Sequence, residues 1–255
     1  MEWLAGYDQG RYCPEKCDIY EPLKVKFDAS NLSEPMRWLS QPAAQFLFKR
    51  GRPVPMEGNL RNRRFAEIRV SNGRKGESTV RPPRVPEPIF LSVWTVWIGT
   101  AAVQKFGLDS LRAFMTGAFD VAQADYAFLA SEADYRRKNF SVTREGNSTV
   151  EQFVGDEPQR GLPGLYWMNL FGPAYTEWFG RPTLKSLDAT RVEDRGPRGF
   201  ILEFGASPLD ASPQVDGLQS AGISRLGADA FFDIGAPGRT LRVPDFLASM
   251  AGAGR

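Results

Sequence analysis

Residues 164–180 read Gly164-Leu165-Tyr166-Trp167-Met168-Asn169-Leu170-Phe171-Gly172-Pro173-Ala174-Tyr175-Thr176-Glu177-Trp178-Phe179-Gly180. The apolar run up to Phe171 has the character of a strand buried on both faces. Gly172-Pro173 turns that strand into a helix with Pro173 at its first position, and Gly180 caps the far end. Downstream, two strands flank the turn Gly196-Pro197-Arg198-Gly199, one over Leu187 to Glu193 and one over Phe200 to Phe204. Ser212-Pro213 opens a helix through Val215, Leu218, Ile223 and Leu226 to Gly227, and Phe231 to Ile234 forms a last short strand. Upstream, Leu108, Leu111, Met115, Ala118 and Ala122 recur at helical spacing, with Phe114 and Phe119 widening the stripe. Tyr126 to Ala130 follows as a short strand. A short helix around Asp134 to Lys138 precedes a mobile loop containing Gly146, Asn147 and Gly155. Strands and helices mix without the strict alternation of a doubly wound sheet. The expected class is α+β, an antiparallel or mixed sheet with helices packed mainly on one face. No internal repeat interrupts this pattern.

The N-terminal part is less regular. Residues 1–31 are locally acidic and show no sustained period, although Leu23-Lys24-Val25-Lys26-Phe27 alternates like a strand. Ser33-Glu34-Pro35 starts a helix, with Ser33 as N-cap, that Pro42 kinks or ends. Residues 49–84 hold eleven Lys and Arg against Glu57, Glu67 and Glu77. Within them Phe65 to Val70 reads as a strand and Asn72-Gly73 as a hairpin turn. Arg81-Pro82-Pro83-Arg84-Val85-Pro86-Glu87-Pro88 is held extended by its prolines and makes the natural linker. The expected division is therefore an irregular, basic N-terminal subdomain over 1–88 and an α+β core domain over 89–255.

Composition narrows the chemistry. The chain has 255 residues, a net charge of +2 and 42 % hydrophobic residues, which is ordinary globular composition. Its 18 Phe, 7 Tyr and 6 Trp supply ample surface to bury. The longest apolar stretch, around Ile89 to Val103, is interrupted by Ser92, Thr95, Gly99 and Thr100 and falls short of the roughly 18 to 20 residues of a membrane span. Histidine is absent. That removes the Ser–His–Asp triad, the Cys–His pair and the imidazole-ligated metal sites, and shifts expectation from an enzyme to a binding protein. Cys13 and Cys17 have no second pair with which to build a zinc site, and are read as two reduced thiols. No metal, cofactor or small-molecule substrate is expected. The N-terminus lacks the basic and apolar regions of a signal peptide, which points to the cytoplasm.

Candidate sites are of two kinds. Arg61, Arg63, Arg64, Arg69 and Arg74, beside Phe65, resemble a phosphate-contacting stretch and form the alternative, nucleic-acid-binding set. The near-neutral whole chain favours a solvated face or an internal ion-pair layer there. The second kind is carboxylate clusters, one over residues 109–135 and one over 201–235. Such a surface imitates phosphate spacing and plugs a basic nuclease groove, with ordinary solubilising charge as the plainer reading. The partner-facing choice is Asp120, Asp125, Glu132 and Asp134. The neighbouring pairs Asp156-Glu157 and Glu193-Asp194 do not show the facing carboxyls of a hydrolase and read as surface charge. No glycine-rich phosphate cradle is present.

The 164–180 segment also resembles the GLYW-N-FGP…FG signature of bacterial immunity proteins from polymorphic-toxin and type VI secretion systems, and is most similar to the immunity protein 52 family. The later hairpin, the Ser207-Pro208-Leu209-Asp210 turn, the helix from Ser212, and Leu226-Gly227 followed by Phe231-Phe232 keep the same order. The resemblance spans residues 160–235. It implies an α+β protein, encoded beside a toxin, that neutralises it by direct binding. It further implies that the toxin is a DNase of restriction-endonuclease fold. The signature itself reads as structural, so none of its residues is carried over as a binding residue.

Overall fold

The computed structural model describes residues 2–39, 45–51, 56–64, 90–145, 148–153, 161–236 and 239–245. The chain divides into two compact units, the first ending at Val121 and the second running from Ala122 to Ser249. Both have antiparallel sheets with helices, so the fold is α+β.

The first unit begins with helix α1 (Glu2–Gly6), strands β1 (Lys16–Asp18) and β2 (Val25–Lys26), and helix α2 (Ser33–Leu39). Strands β3 (Gln45–Arg50), β4 (Met56–Arg64) and β5 (Phe90–Ile98) and helix α3 (Thr100–Ala122) follow. The sheet order is β2-β1-β3-β4-β5. Phe46 and Phe48 alternate with Leu47 and Lys49 along β3, so both phenylalanines enter the core while Lys49 stays exposed. They pack with Leu4, Tyr12, Cys17, Phe27, Trp38, Met56 and Phe114. In α3 the deepest residues are Leu111, Phe114, Ala118 and Phe119, whereas Leu108 and Met115 are half-buried. Gly107, at φ 80° and ψ 165°, divides α3 into two helical pieces.

The second unit contains strand β6 (Tyr126–Leu129), helix α4 (Glu132–Asn139), strands β7 (Phe140–Glu145) and β8 (Ser148–Phe153), and strand β9 (Met168–Phe171). It continues with helices α5 (Pro173–Phe179) and α6 (Arg181–Lys185), strands β10 (Arg191–Asp194) and β11 (Phe200–Glu203), and helix α7 (Pro213–Leu226). Its main sheet runs β10-β11-β9-β6, and β7 pairs only with β8. β9 is buried on both faces, as its unbroken apolar run implies. Phe171, Phe200 and Leu202 share one face and meet Tyr175 and Phe179 of α5, Leu184 of α6, and Val215 and Leu226 of α7. The helices of this unit thus gather on one face of its sheet. Ser212 caps α7 by accepting from the Val215 N–H at 3.4 Å.

Several elements differ from expectation for identifiable reasons. The division falls at residue 121 instead of 88, because β5 pairs along its whole length with β4 and so belongs to the first sheet. The expected loop after α4 contains the β7–β8 hairpin. Val142 and Val150 lie in its strands, and Glu145 faces Ser148 in register, while Gly146, Asn147 and Gly155 lie outside the described residues. The strand expected from Leu187 starts only at Arg191, since the short helix α6 ends at Lys185 and Leu187 enters the core. Phe231 makes an isolated parallel bridge with Leu162 and no strand. The expected strand at Phe65 to Val70, the Asn72-Gly73 turn and the proline segment 81–88 lie outside the described residues.

Two glycines respond oppositely to a methyl group. Gly199 has φ +103°, and a Cβ there would sit 2.0 Å from the Phe171 carbonyl oxygen. Gly199→Ala is expected to lower stability in urea denaturation by about 3 kcal/mol, through strain and backbone clash together. Gly217, inside α7, has nothing within 4 Å of that position. Gly217→Ala is expected to raise stability by about 0.5–1 kcal/mol in the same assay.

Candidate functional site

The turn between β9 and α5 is built against the segment entering β6. Gly172 N–H donates to the Asp125 carbonyl at 2.7 Å. A Cβ at Gly172 would lie 2.6 Å from the Ala124 oxygen and 2.9 Å from the Asp125 oxygen. Only glycine permits this approach, so the sequence turn that ends the buried strand also fixes the backbone of Asp125. Thr176 ties the first turn of α5 back to the sheet by donating its hydroxyl to the Phe171 carbonyl at 3.1 Å.

The polar residues around β9 are occupied in the same framework. Buried Asn169 accepts from Tyr166 N–H at 2.9 Å and donates to the Tyr166 carbonyl at 2.8 Å. The Tyr126 hydroxyl reaches the Gly164 carbonyl at 3.0 Å and Asn169 Oδ1 at 3.2 Å. Tyr166 donates to the Pro163 carbonyl at 3.0 Å, and Trp167 Nε1 to the Gly205 carbonyl at 3.3 Å. These bonds satisfy polar atoms that burial would otherwise penalise. Burial also pushes the Tyr126, Tyr166 and Tyr175 hydroxyls above their ordinary pKa, which keeps them neutral donors.

Asp125 is different. It is half-buried, and its carboxylate has no hydrogen-bond or ion-pair partner among the described residues. Burial alone holds its pKa above the usual carboxylate value. Its negative charge adds to the burial that raises Tyr175. A partly desolvated charge on a fixed backbone, with no compensating group among the described residues, is a position where an external cation could pair.

The other three carboxylates named from sequence have different fates. Asp134 caps nothing outside its own framework: Arg137 lies 2.6 Å from Oδ1 and Lys138 2.8 Å from Oδ2. Lys138 also donates to the Leu165 carbonyl at 2.6 Å and to Gln219 Oε1 at 2.8 Å, which uses all three ammonium protons. Arg137 reaches Asp216 of α7 at 2.6 Å. Asp134 is therefore the centre of a clamp between α4, α7 and the approach to β9. Glu132 is exposed, with Arg136 at 3.8 Å. Asp120 lies in α3, half-buried and engaged. The structure places Asp125, Glu132 and Asp134 in the second unit and Asp120 in the first.

Of the basic set, Arg61, Arg63 and Arg64 lie in β4, paired on both sides by β3 or β5 over much of its length. Arg69 and Arg74 lie outside the described residues, as do Asp156 and Glu157. Glu193 pairs with Arg191 at 2.5 Å, and Asp194 pairs with Lys185 at 2.9 Å and with Arg181. Glu203, counted from sequence in the acidic cluster over 201–235, is buried and meets Arg191 at 3.0 Å across the β10–β11 ladder, a pairing that depends on strand register. Sequence reasoning missed Lys138, although the Asp134–Lys138 spacing of four residues is visible in the sequence. Among the described residues no group of three or more His, Cys, Asp or Glu is placed to hold a metal ion, and no helix is long and apolar enough to cross a membrane. Cys13 and Cys17 are free thiols.

No family model, curated protein or solved structure matches this chain.

Two outcomes follow from these environments. Lys138→Met removes the donor to Asp134 Oδ2, Gln219 Oε1 and the Leu165 carbonyl at once, while Arg137 still holds Asp134 Oδ1, and is expected to cost about 3 kcal/mol in denaturant titration. Burial pushes the Cys17 thiol up to about 11, so at pH 8 it is protonated and unreactive. An aromatic disulfide reagent is expected to label Cys17 at pH 8 only once denaturant unfolds the chain.

Proposed function

We propose that this chain is an immunity protein that binds and neutralises a nuclease toxin, a DNase delivered by a type VI secretion system. It acts in the cytoplasm and without catalysis of its own, by occluding the toxin's active site or DNA groove. The observation that supports this most directly is the turn at Gly172. There the segment that resembles immunity proteins holds Asp125 half-buried and without a cationic partner among the described residues.

The chemistry joins the two sides. A DNase groove is lined with cations because it must neutralise phosphates. A carboxylate on a rigid mount offers the same charge without a scissile bond. Asp125 has already lost part of its hydration in the free chain, so a Lys or Arg brought to it faces a smaller desolvation cost than it would at an exposed acid. Charges at the rim, such as exposed Glu132, steer encounter and set its salt dependence. Asp134 does not serve this role, because Arg137 and Lys138 already neutralise it.

The test is co-expression with the protein encoded by the adjacent open reading frame. A stable complex, restored growth and blocked DNA cleavage are expected; a toxic neighbour that forms no complex and is not restrained contradicts the reading. Asp125→Asn is expected to weaken the complex at least about tenfold. It also has a sign-specific effect on the free chain. The folded state binds the Asp125 proton more tightly than the unfolded chain, so that proton's stabilisation is complete below the unfolded pKa and fades as pH rises through the folded one. The amide avoids the cost of the buried charge. Its melting temperature is expected to exceed the parent's at pH 7, with the gap closing as pH falls through the raised Asp125 pKa.

A further inference from the structure

The four-stranded sheet of the second unit has two edges, and they are built differently. On β10 the outer strand carries Arg191, Glu193 and Asp194, which are paired with Glu203, with one another or with Lys185 and Arg181. Charged side chains of this kind protect an edge from adding a further strand. β6, at the other edge, is Tyr126-Ala127-Phe128-Leu129, with no charge at all and every residue half-buried.

The register shows which backbone groups this edge presents. Tyr126 faces Phe171 and Phe128 faces Asn169 across the β6–β9 ladder. The Gly172 N–H bond to the Asp125 carbonyl makes Asp125 and Gly172 a hydrogen-bonded pair. In an antiparallel ladder such pairs alternate with non-bonded ones. Asp125, Ala127 and Leu129 therefore turn their N–H and C=O groups toward β9, and Tyr126 and Phe128 turn theirs outward. Among the described residues, those outward backbone groups have no hydrogen-bond partner. The side chains hold the strand in place from within: Tyr126 lies 5.4 Å from the Phe171 ring, and Phe128 stacks on Tyr166 at 4.2 Å.

We infer that β6 is the docking strand, and that an extended segment of the toxin adds to it with a Lys or Arg set against Asp125. This rests on the immunity reading above and specifies the surface. Main-chain hydrogen bonds to Tyr126 and Phe128 supply affinity, and the carboxylate at the strand's entrance supplies selection for a basic segment. Charge complementarity fixes the occupant, since Asp125 is the only charged residue from 124 to 131 and has no cation beside it among the described residues. A neutral or acidic strand would leave that charge more deeply buried and unpaired.

Residue-resolved hydrogen exchange on the full chain, alone and with the protein encoded by the adjacent open reading frame, tests this. The Tyr126 and Phe128 amides are expected to exchange freely in the isolated chain and to slow at least about tenfold in the complex, with the β10 amides unchanged. A complex that leaves both amides at their free rates overturns the docking strand while the immunity reading stands. Failure to form any complex overturns both. Slowing that appears without the partner and grows with protein concentration assigns the edge to a second copy of this chain and overturns the inference. In Asp125→Asn, residual complex is expected to keep the protection at both amides at lower affinity; loss of protection in that residual complex overturns the strand addition.

Discussion

The backbone of Gly172 and the backbone of Asp125 touch, and much of the second unit follows from that approach. A side chain at residue 172 would have to enter space held by the Ala124 and Asp125 carbonyl oxygens. With glycine there, β9 can end, α5 can start at Pro173, and the chain entering β6 can lie directly alongside. The same hydrogen bond sets the phase of the β6–β9 ladder. It thereby decides which backbone groups of β6 satisfy the sheet and which face out. One small residue thus couples core packing, strand register and the placement of a carboxylate.

Around this turn the unit resolves nearly every polar demand internally. Asn169 closes on Tyr166, Tyr126 reaches Gly164, and Lys138 spends its three protons on Asp134, Leu165 and Gln219. The α4–α7 clamp and the charged β10 edge both turn acids into structure instead of surface potential. Against that background, and among the described residues, Asp125 stands half-buried and uncompensated, and the buried Asn139 Oδ1 likewise lacks a hydrogen-bond partner. A desolvation cost retained at one position, where Asp134, Glu193 and Asp194 are each paired with a cation, is the observation behind the proposal that Asp125 serves something outside the chain.

The sequence disclosed what glycine, proline and short polar caps control. The 164–180 strand-turn-helix, the Ser212 cap of α7 and the helix at Asp134 to Lys138 were legible because each has a local steric or hydrogen-bonding cause. Features that depend on long-range pairing were not. β5 joins the first sheet only because β4 lies beside it, and β7 and β8 support one another although neither strand is strongly apolar. Asp125 and Asp134 looked alike as acids on one stretch of chain. Their difference arises from Lys138, Gln219 and Asp216, two of them about eighty positions away, and from the Gly172 turn.

The most direct test of this account is the titration of Asp125 itself, followed by carboxyl-carbon NMR in the free chain and in the complex with the proposed toxin partner. The free carboxyl should titrate above the ordinary aspartate value, because burial raises it and no cation among the described residues opposes that. In the complex it should fall below that value as a Lys or Arg arrives. An Asp125 that titrates at or below the ordinary value in the free chain would mean that its charge is already compensated, and would contradict the central claim.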